Sequence, residues 1–210
     1  MIIIIHNGEK PIKYIDTDTK EEKFCKEKTI QETLYKLSGT YSKQLLFWCH
    51  EKLKDHINYQ EIDNIFHHQM IFASYNVGSV RGICNDIGYV DQHCFINIKK
   101  EVQYPTWIMS GDIGGAYAQV IQQSKEITHV SQSFGLYLSS FAKLSMTKGL
   151  LCYAAPKLIK GDFKNIKIGA KAKNKLSFKF VRRHYRIQWV FILFFSLMYC
   201  QKKIYLGSLL

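Results

Sequence analysis

Short β-branched runs and stretches with helical spacing take turns along the first 160 residues. Residues 2–6 (Ile-Ile-Ile-Ile-His) form a β-branched run closed by Asn7-Gly8, and residues 11–15 follow as a second run, which predicts a strand turning into another strand. Charged residues 16–28 make a connection. Thr29 with Glu32 forms a capping box, Ile30, Leu34 and Leu37 recur at helical spacing, and Gly39 marks the expected stop. Residues 45–49 are a wholly apolar strand. Asn58 with Glu61 is expected to open a second helix carrying Ile62, Ile65 and Phe66 on one side, which His67 and His68 finish, before a strand over 70–75.

From residue 76 the texture changes to Gly and Asn, with apolar pieces at 87–90 and 95–98 that suit sheet edges or antiparallel strands. Residues 104–118 predict a strand that stops at a small-residue turn before a helix near 116–123. A helix over 134–147 carries Leu138, Phe141, Ala142 and Leu144, and a short strand over 150–154 ends at Pro156. Strands alternating with helices predict an α/β fold with a mostly parallel mixed sheet and helices on both faces. Two regions are expected: an α/β domain over 1–160, and over 161–210 a basic linker with an amphipathic interfacial helix.

Composition and charge sharpen that division. An apolar content of 47% in 210 residues excludes a disordered chain and suffices for one α/β domain with an appendage. Residues 157–210 hold 13 of the 29 Lys and Arg but one, Asp162, of the 17 Asp and Glu, so the net charge of +12 belongs to that stretch alone. There Arg182, Arg183 and Arg186 lead into the apolar run 189–200, with Trp189, Phe194, Phe195 and Tyr199, and Lys202 and Lys203 follow. Such a helix of 12 residues would be about 18 Å long against roughly 30 Å of hydrocarbon, so it is expected to lie at the surface of an anionic membrane. A basic RNA-binding tail is the alternative; the aromatic run beside the charge favours the membrane, and no nucleic-acid partner is expected. The opening residues lack the basic start and cleavage site of a signal peptide, which predicts a cytoplasmic protein, peripheral on the inner face of the membrane. The apolar finish Gly207-Ser-Leu-Leu210 suggests that a longer protein continues beyond it.

The six cysteines have no paired short spacing and are expected to act as small core hydrophobes; Cys49-His50, His67-His68 and His93-Cys94 set no four-ligand frame. The best site candidate is Ser110-Gly111-Asp112-Ile113-Gly114-Gly115, where glycines at a strand-to-helix junction would let the backbone approach a ligand; the alternative is a tight turn with Asp112 as a helix cap. His50 and Glu51 end an apolar strand, where ligands of open α/β sheets collect, although Glu51 as a cap and His50 as a satisfied polar residue is the plainer reading. Tyr104, Trp107 and Tyr117 could stack on a sugar ring or simply fill the core. Asp16-Thr17-Asp18 reads as a polar turn.

The order Trp107…Gly114-Gly115-Ala116-Tyr117-Ala118, an amphipathic helix ending Lys148-Gly149, and Leu150-Leu-Cys-Tyr-Ala-Ala-Pro156 resembles the acceptor-side half of a family 2 glycosyltransferase of the GT-A fold. Arg182-Arg183-His184-Tyr185 before the apolar run is similar to that family's juxtamembrane stretch. The likeness is to N-terminal parts of Bacteroidota-type members, truncated or degenerate. It implies hexosyl transfer from a nucleotide sugar to a lipid-linked or cell-surface polysaccharide acceptor, with Mn or Mg as the cofactor. Asp112, Gly114, Gly115, Trp107 and Tyr117 would then line the acceptor pocket, His50, Glu51 and Asp91 would meet the nucleotide, and Asp91 would hold the metal. Two departures stand beside this: the family's Asp-x-Asp does not occur at the matching depth, and residues 133–137, where its general base would fall, carry no carboxylate. A non-catalytic interaction module that docks a partner transferase at the membrane is the other expectation.

Overall fold

The computed structural model describes residues 1–77, 102–125, 133–162, 166, 168 and 174–201. The expected strands at 87–90 and 95–98, and Asp91, lie outside the described residues.

Eight strands form one sheet in the order β3-β2-β1-β4-β7-β5-β8-β6. They are β1 (Ile2–His6), β2 (Pro11–Asp16), β3 (Glu22–Phe24), β4 (Leu45–His50), β5 (Ile71–Tyr75), β6 (Tyr104–Pro105), β7 (Ile113–Tyr117) and β8 (Leu151–Ala154). The helices are α1 (Ile30–Thr40), α2 (Tyr59–Ile65), α3 (Ala118–Gln122), α4 (Phe134–Met146), α5 (Asn174–His184) and α6 (Ile187–Gln201), with 3-10 turns at Glu51–His56 and Pro156–Leu158. Every residue of β1 and β4 is buried, as an apolar run covered on both faces requires.

The sheet is mixed, and the expectation of a mostly parallel one is corrected. β1 pairs parallel with β4 and β5 with β8, while the other five pairings are antiparallel. The reason is local: the hairpin at Asn7-Gly8 returns the chain beside β1, and β7 runs backwards between β4 and β5. β1, β4, β5 and β8 still point one way, so their carboxyl ends share one edge of the sheet.

Two apolar layers cover the faces. On one side Ile2, Ile4, Trp48 and Phe72 pack with Leu34 of α1, Ile121 of α3 and Tyr137 and Phe141 of α4. On the other, Ile3, Ile5, Phe47 and Ala73 pack with Ile62 and Ile65 of α2 and with Leu53 and Leu158 of the 3-10 turns. Burying a Leu or Phe side chain in such a layer contributes about 1.5–3 kcal/mol. Thr29 caps α1 by accepting from the Glu32 amide, and Ser133 caps α4 through the Leu136 amide. Asn58 does not cap α2; its amide donates instead to the Lys157 carbonyl, across to the second 3-10 turn. Gly39 lies inside the last turn of α1 rather than ending it.

α5 and α6 build a third, smaller cluster. Phe178, Phe180, Val181, Val190, Leu193 and Phe194 gather over Leu136 of α4. Among the described residues no helix is long and apolar enough to cross a membrane.

Candidate functional site

At the carboxyl edge the parallel register of β1 and β4 sets His6 opposite His50. Their rings meet edge to face, with centroids 5.7 Å apart. Each imidazole accepts from a turn amide through Nδ1: His6 from Gly8 at 3.0 Å, His50 from Lys52 at 3.2 Å. His50 is thus the cap of the 3-10 turn Glu51–His56, the role that the plainer reading of the sequence gave to Glu51. Gly8 has φ +96°, and a Cβ there would touch the His50 ring, so the tight hairpin and the histidine fit one another.

An imidazole that accepts at Nδ1 carries its proton on Nε2 and is neutral. The surroundings agree. Burial, and then the neighbouring His50, lower the His6 pKa to about 3, opposed by the Gly111 backbone. His6 Nε2 is a buried polar atom with no hydrogen-bond partner among the described residues. Burial also lowers the His50 pKa, opposed by the charges of Asp112 and Glu51.

Asp112 reaches the same edge from the start of β7. Its carbonyl accepts from the His50 amide at 2.7 Å, and its carboxylate Oδ2 accepts from the Val77 amide at 2.9 Å, joining the start of β7 to the end of β5. The Asp112 amide donates to Ser110 Oγ, the Ser110 amide to Ser74 Oγ, and the Ser110 carbonyl accepts from the Trp48 indole. No helix follows Asp112 directly, so the helix-cap alternative is corrected to a loop-to-strand clasp.

Gly114 and Gly115 are corrected too: both are interior residues of β7, not turn residues. A Cβ on Gly114 would come within 2.6 Å of the Ala73 carbonyl oxygen and Trp48 Cζ2, and one on Gly115 within 3.1 Å of the Leu46 carbonyl oxygen. The glycines let β7 fit between β4 and β5, and this close packing holds Asp112 beside His50.

The other sequence candidates are not gathered here. Tyr117 ends β7 at the opposite edge, where its hydroxyl donates to the Phe66 carbonyl; it borders an open cavity of about 480 Å³ lined also by Met1, Thr17, Asp18, Tyr59 and Asp63. Trp107 stacks on Phe180 of α5, with centroids 4.8 Å apart, under the Lys143 ammonium. Asp16-Thr17-Asp18 is a turn, in which the Asp18 amide donates to Asp16 Oδ1. Cys49 and Cys152 are buried, and burial pushes both thiols up to about 12, which makes them inert core residues.

A divalent ion of the kind the resemblance implies needs several oxygen donors. Among the described residues no three His, Cys, Asp or Glu side chains come together as a metal-ligand group, and Asp112 already spends Oδ2 on Val77. What the edge offers a ligand among the described side chains is the exposed Glu51 carboxylate. His6 was not singled out from the sequence; the signal was a histidine closing an all-isoleucine strand, matched by His50 closing the next buried one.

No protein-family model, curated protein or solved structure matches the chain.

Proposed function

We propose that this chain is a glycosyltransferase-like protein of the family 2, GT-A type, which moves a hexosyl unit from a nucleotide sugar to a lipid-linked or cell-surface polysaccharide acceptor. The observation that carries the reading is the shared carboxyl edge of β1, β4, β5 and β8, split by the reversed strand β7. Ligands of open α/β sheets bind outside carboxyl ends, where the strand pattern breaks. His50 and Glu51 stand on the β4 side of that break and form the nucleotide side of the site. Asp112, held by the packing of Gly114 and Gly115, stands on the acceptor side. Because the described residues assemble no metal-ligand group, this reading assigns no metal to the edge; the protein works in the cytoplasm, peripheral on the inner face of the membrane.

The second reading, a module that docks a partner transferase, is favoured by one observation. Trp107, Asp112, Gly114, Gly115 and Tyr117 all have structural occupations: a stack on α5, a clasp on Val77, close strand packing and a bond to Phe66.

Calorimetry of the full chain with uridine and guanosine diphosphate sugars, with and without manganese, separates the two. Saturable binding of one of them, weakened by Glu51→Gln in a variant that melts like the parent, supports the transferase. Failure of every sugar nucleotide to bind, with or without metal, overturns it in favour of the docking module.

A further inference from the structure

α6 is apolar almost all round, and a helix of that kind needs a cover on every side. The body supplies only half of it. Val190, Leu193 and Phe194 pack inward against α5 and α4, and Phe194 is 9% exposed. Ile187, Phe191 and Phe195, one turn apart along a single row, point outward with Ile192 beside them; Ile187 and Phe195 are each 63% exposed. Contiguous large apolar residues left in water at this density mark a docking surface.

We infer that this outward row of α6 seats on an anionic bilayer surface, with the helix lying in the headgroup boundary. Three features select lipid over other occupants. Arg182, Arg183 and Arg186 are exposed at the end of α5 and in the turn that starts α6, beside the apolar row, and the sequence has no acid after Asp162. That combination of a charged rim and an apolar row complements anionic headgroups and the acyl boundary beneath them, whereas a second copy of the chain would set like charges against each other. Trp189, at the arginine end of α6 and partly exposed beside Tyr185, has the amphipathic ring favoured at that depth. Finally, the 15 described residues of α6 span about 22 Å against roughly 30 Å of hydrocarbon, and Lys202 and Lys203 follow in the sequence, which suits a helix lying along the surface.

The structure changes which side chains do this. Phe194, one of the membrane residues expected from the sequence, is part of the fold; Phe191 and Ile192 take its place beside Phe195. For Tyr199 the helix is described but its side chain is not. Arg182, Arg183 and Arg186 are exposed.

This inference gives a partner to the peripheral-membrane part of the proposed function and uses nothing at the carboxyl edge, so it can fail while sugar-nucleotide binding succeeds, and the reverse. The test is flotation of the full chain with phosphatidylglycerol vesicles and with phosphatidylcholine vesicles, alongside sedimentation equilibrium without lipid. Binding to phosphatidylglycerol is expected, weaker to phosphatidylcholine, and falling as salt is raised. Phe191→Ser with Phe195→Ser should lower the partition at least tenfold while the melting curve moves little, because both side chains lie largely outside the packed cluster. Arg182→Gln and Arg186→Gln should each lower it about fivefold, the equivalent of about 1 kcal/mol per charge. Equal binding to both lipids, or no binding by the folded chain, overturns the inference. A dimer that the two Phe substitutions dissociate, with no flotation, would assign the row to a second copy.

Discussion

His6 and His50 are register partners at the carboxyl ends of two adjacent parallel strands, and each holds a turn amide through Nδ1. Protonation takes away that acceptor. The folded pKa of His6 is lowered, to about 3 from an ordinary value of 6.5, so between these values the unfolded chain binds a proton that the folded chain refuses. Stability from this residue is therefore full above about pH 6.5 and is lost as the pH falls toward 3, at up to about 1.4 kcal/mol per pH unit. His50, lowered in the same direction, adds to the loss. His6→Asn keeps an acceptor near Gly8 and cannot titrate there. Urea unfolding at pH 7 and pH 5 should show a smaller pH dependence for the variant than for the parent.

Gly114→Ala is expected to be the most damaging single-methyl change in the sheet. Its Cβ would press on the Ala73 backbone and the buried Trp48 ring, neither of which can yield cheaply. Overpacking of this kind costs about 3 kcal/mol or more where backbone is involved. Thermal denaturation should show a large drop for Gly114→Ala and a smaller one for Gly115→Ala, whose nearest contacts are 0.5 Å longer.

Asp112 closes the link between β5 and β7. Asp112→Ala strands the Val77 amide and should cost about 1–3 kcal/mol, while Asp112→Asn, which keeps an oxygen at the same place, should cost less. Chemical denaturation of the two variants checks the ranking. A sugar-nucleotide or transfer activity lost in both variants beyond the loss of stability would add a direct role at the edge.

Trp107 fastens the helical hairpin to the body. It packs against the main core and against the α5–α6 cluster, stacked on Phe180 and tilted against Tyr185. Trp107→Ala should release α5 and α6 before the sheet melts. Limited proteolysis is expected to cut the variant after residue 160 faster than the parent, while the main thermal transition moves little.

The sequence alone determined most of the elements of this chain. Isoleucine runs, the Thr29 cap and the helical spacing of Ile30, Leu34 and Leu37 are local signals, and β1, α1, β4, α4 and β8 formed where they pointed. It also determined the charge boundary near residue 157, since charge is a sum over composition. What it left open was every question of which element lies beside which. A run such as Ile113–Tyr117 is equally apolar whichever way it is paired, so only the tertiary structure decided that β7 runs backwards between β4 and β5 and that its glycines serve strand packing instead of a turn. Capping followed the same rule: Asn58 had the right spacing, yet the Lys157 carbonyl, 99 residues away, took its side chain. The His6–His50 pair arises from parallel register across 44 positions of sequence, which no local pattern encodes. In α6, hydropathy reported that Phe194 and Phe195 are alike; the docking of the helix on α5 buried one and left the other to face outward, because a helix turns its successive side chains about 100° apart.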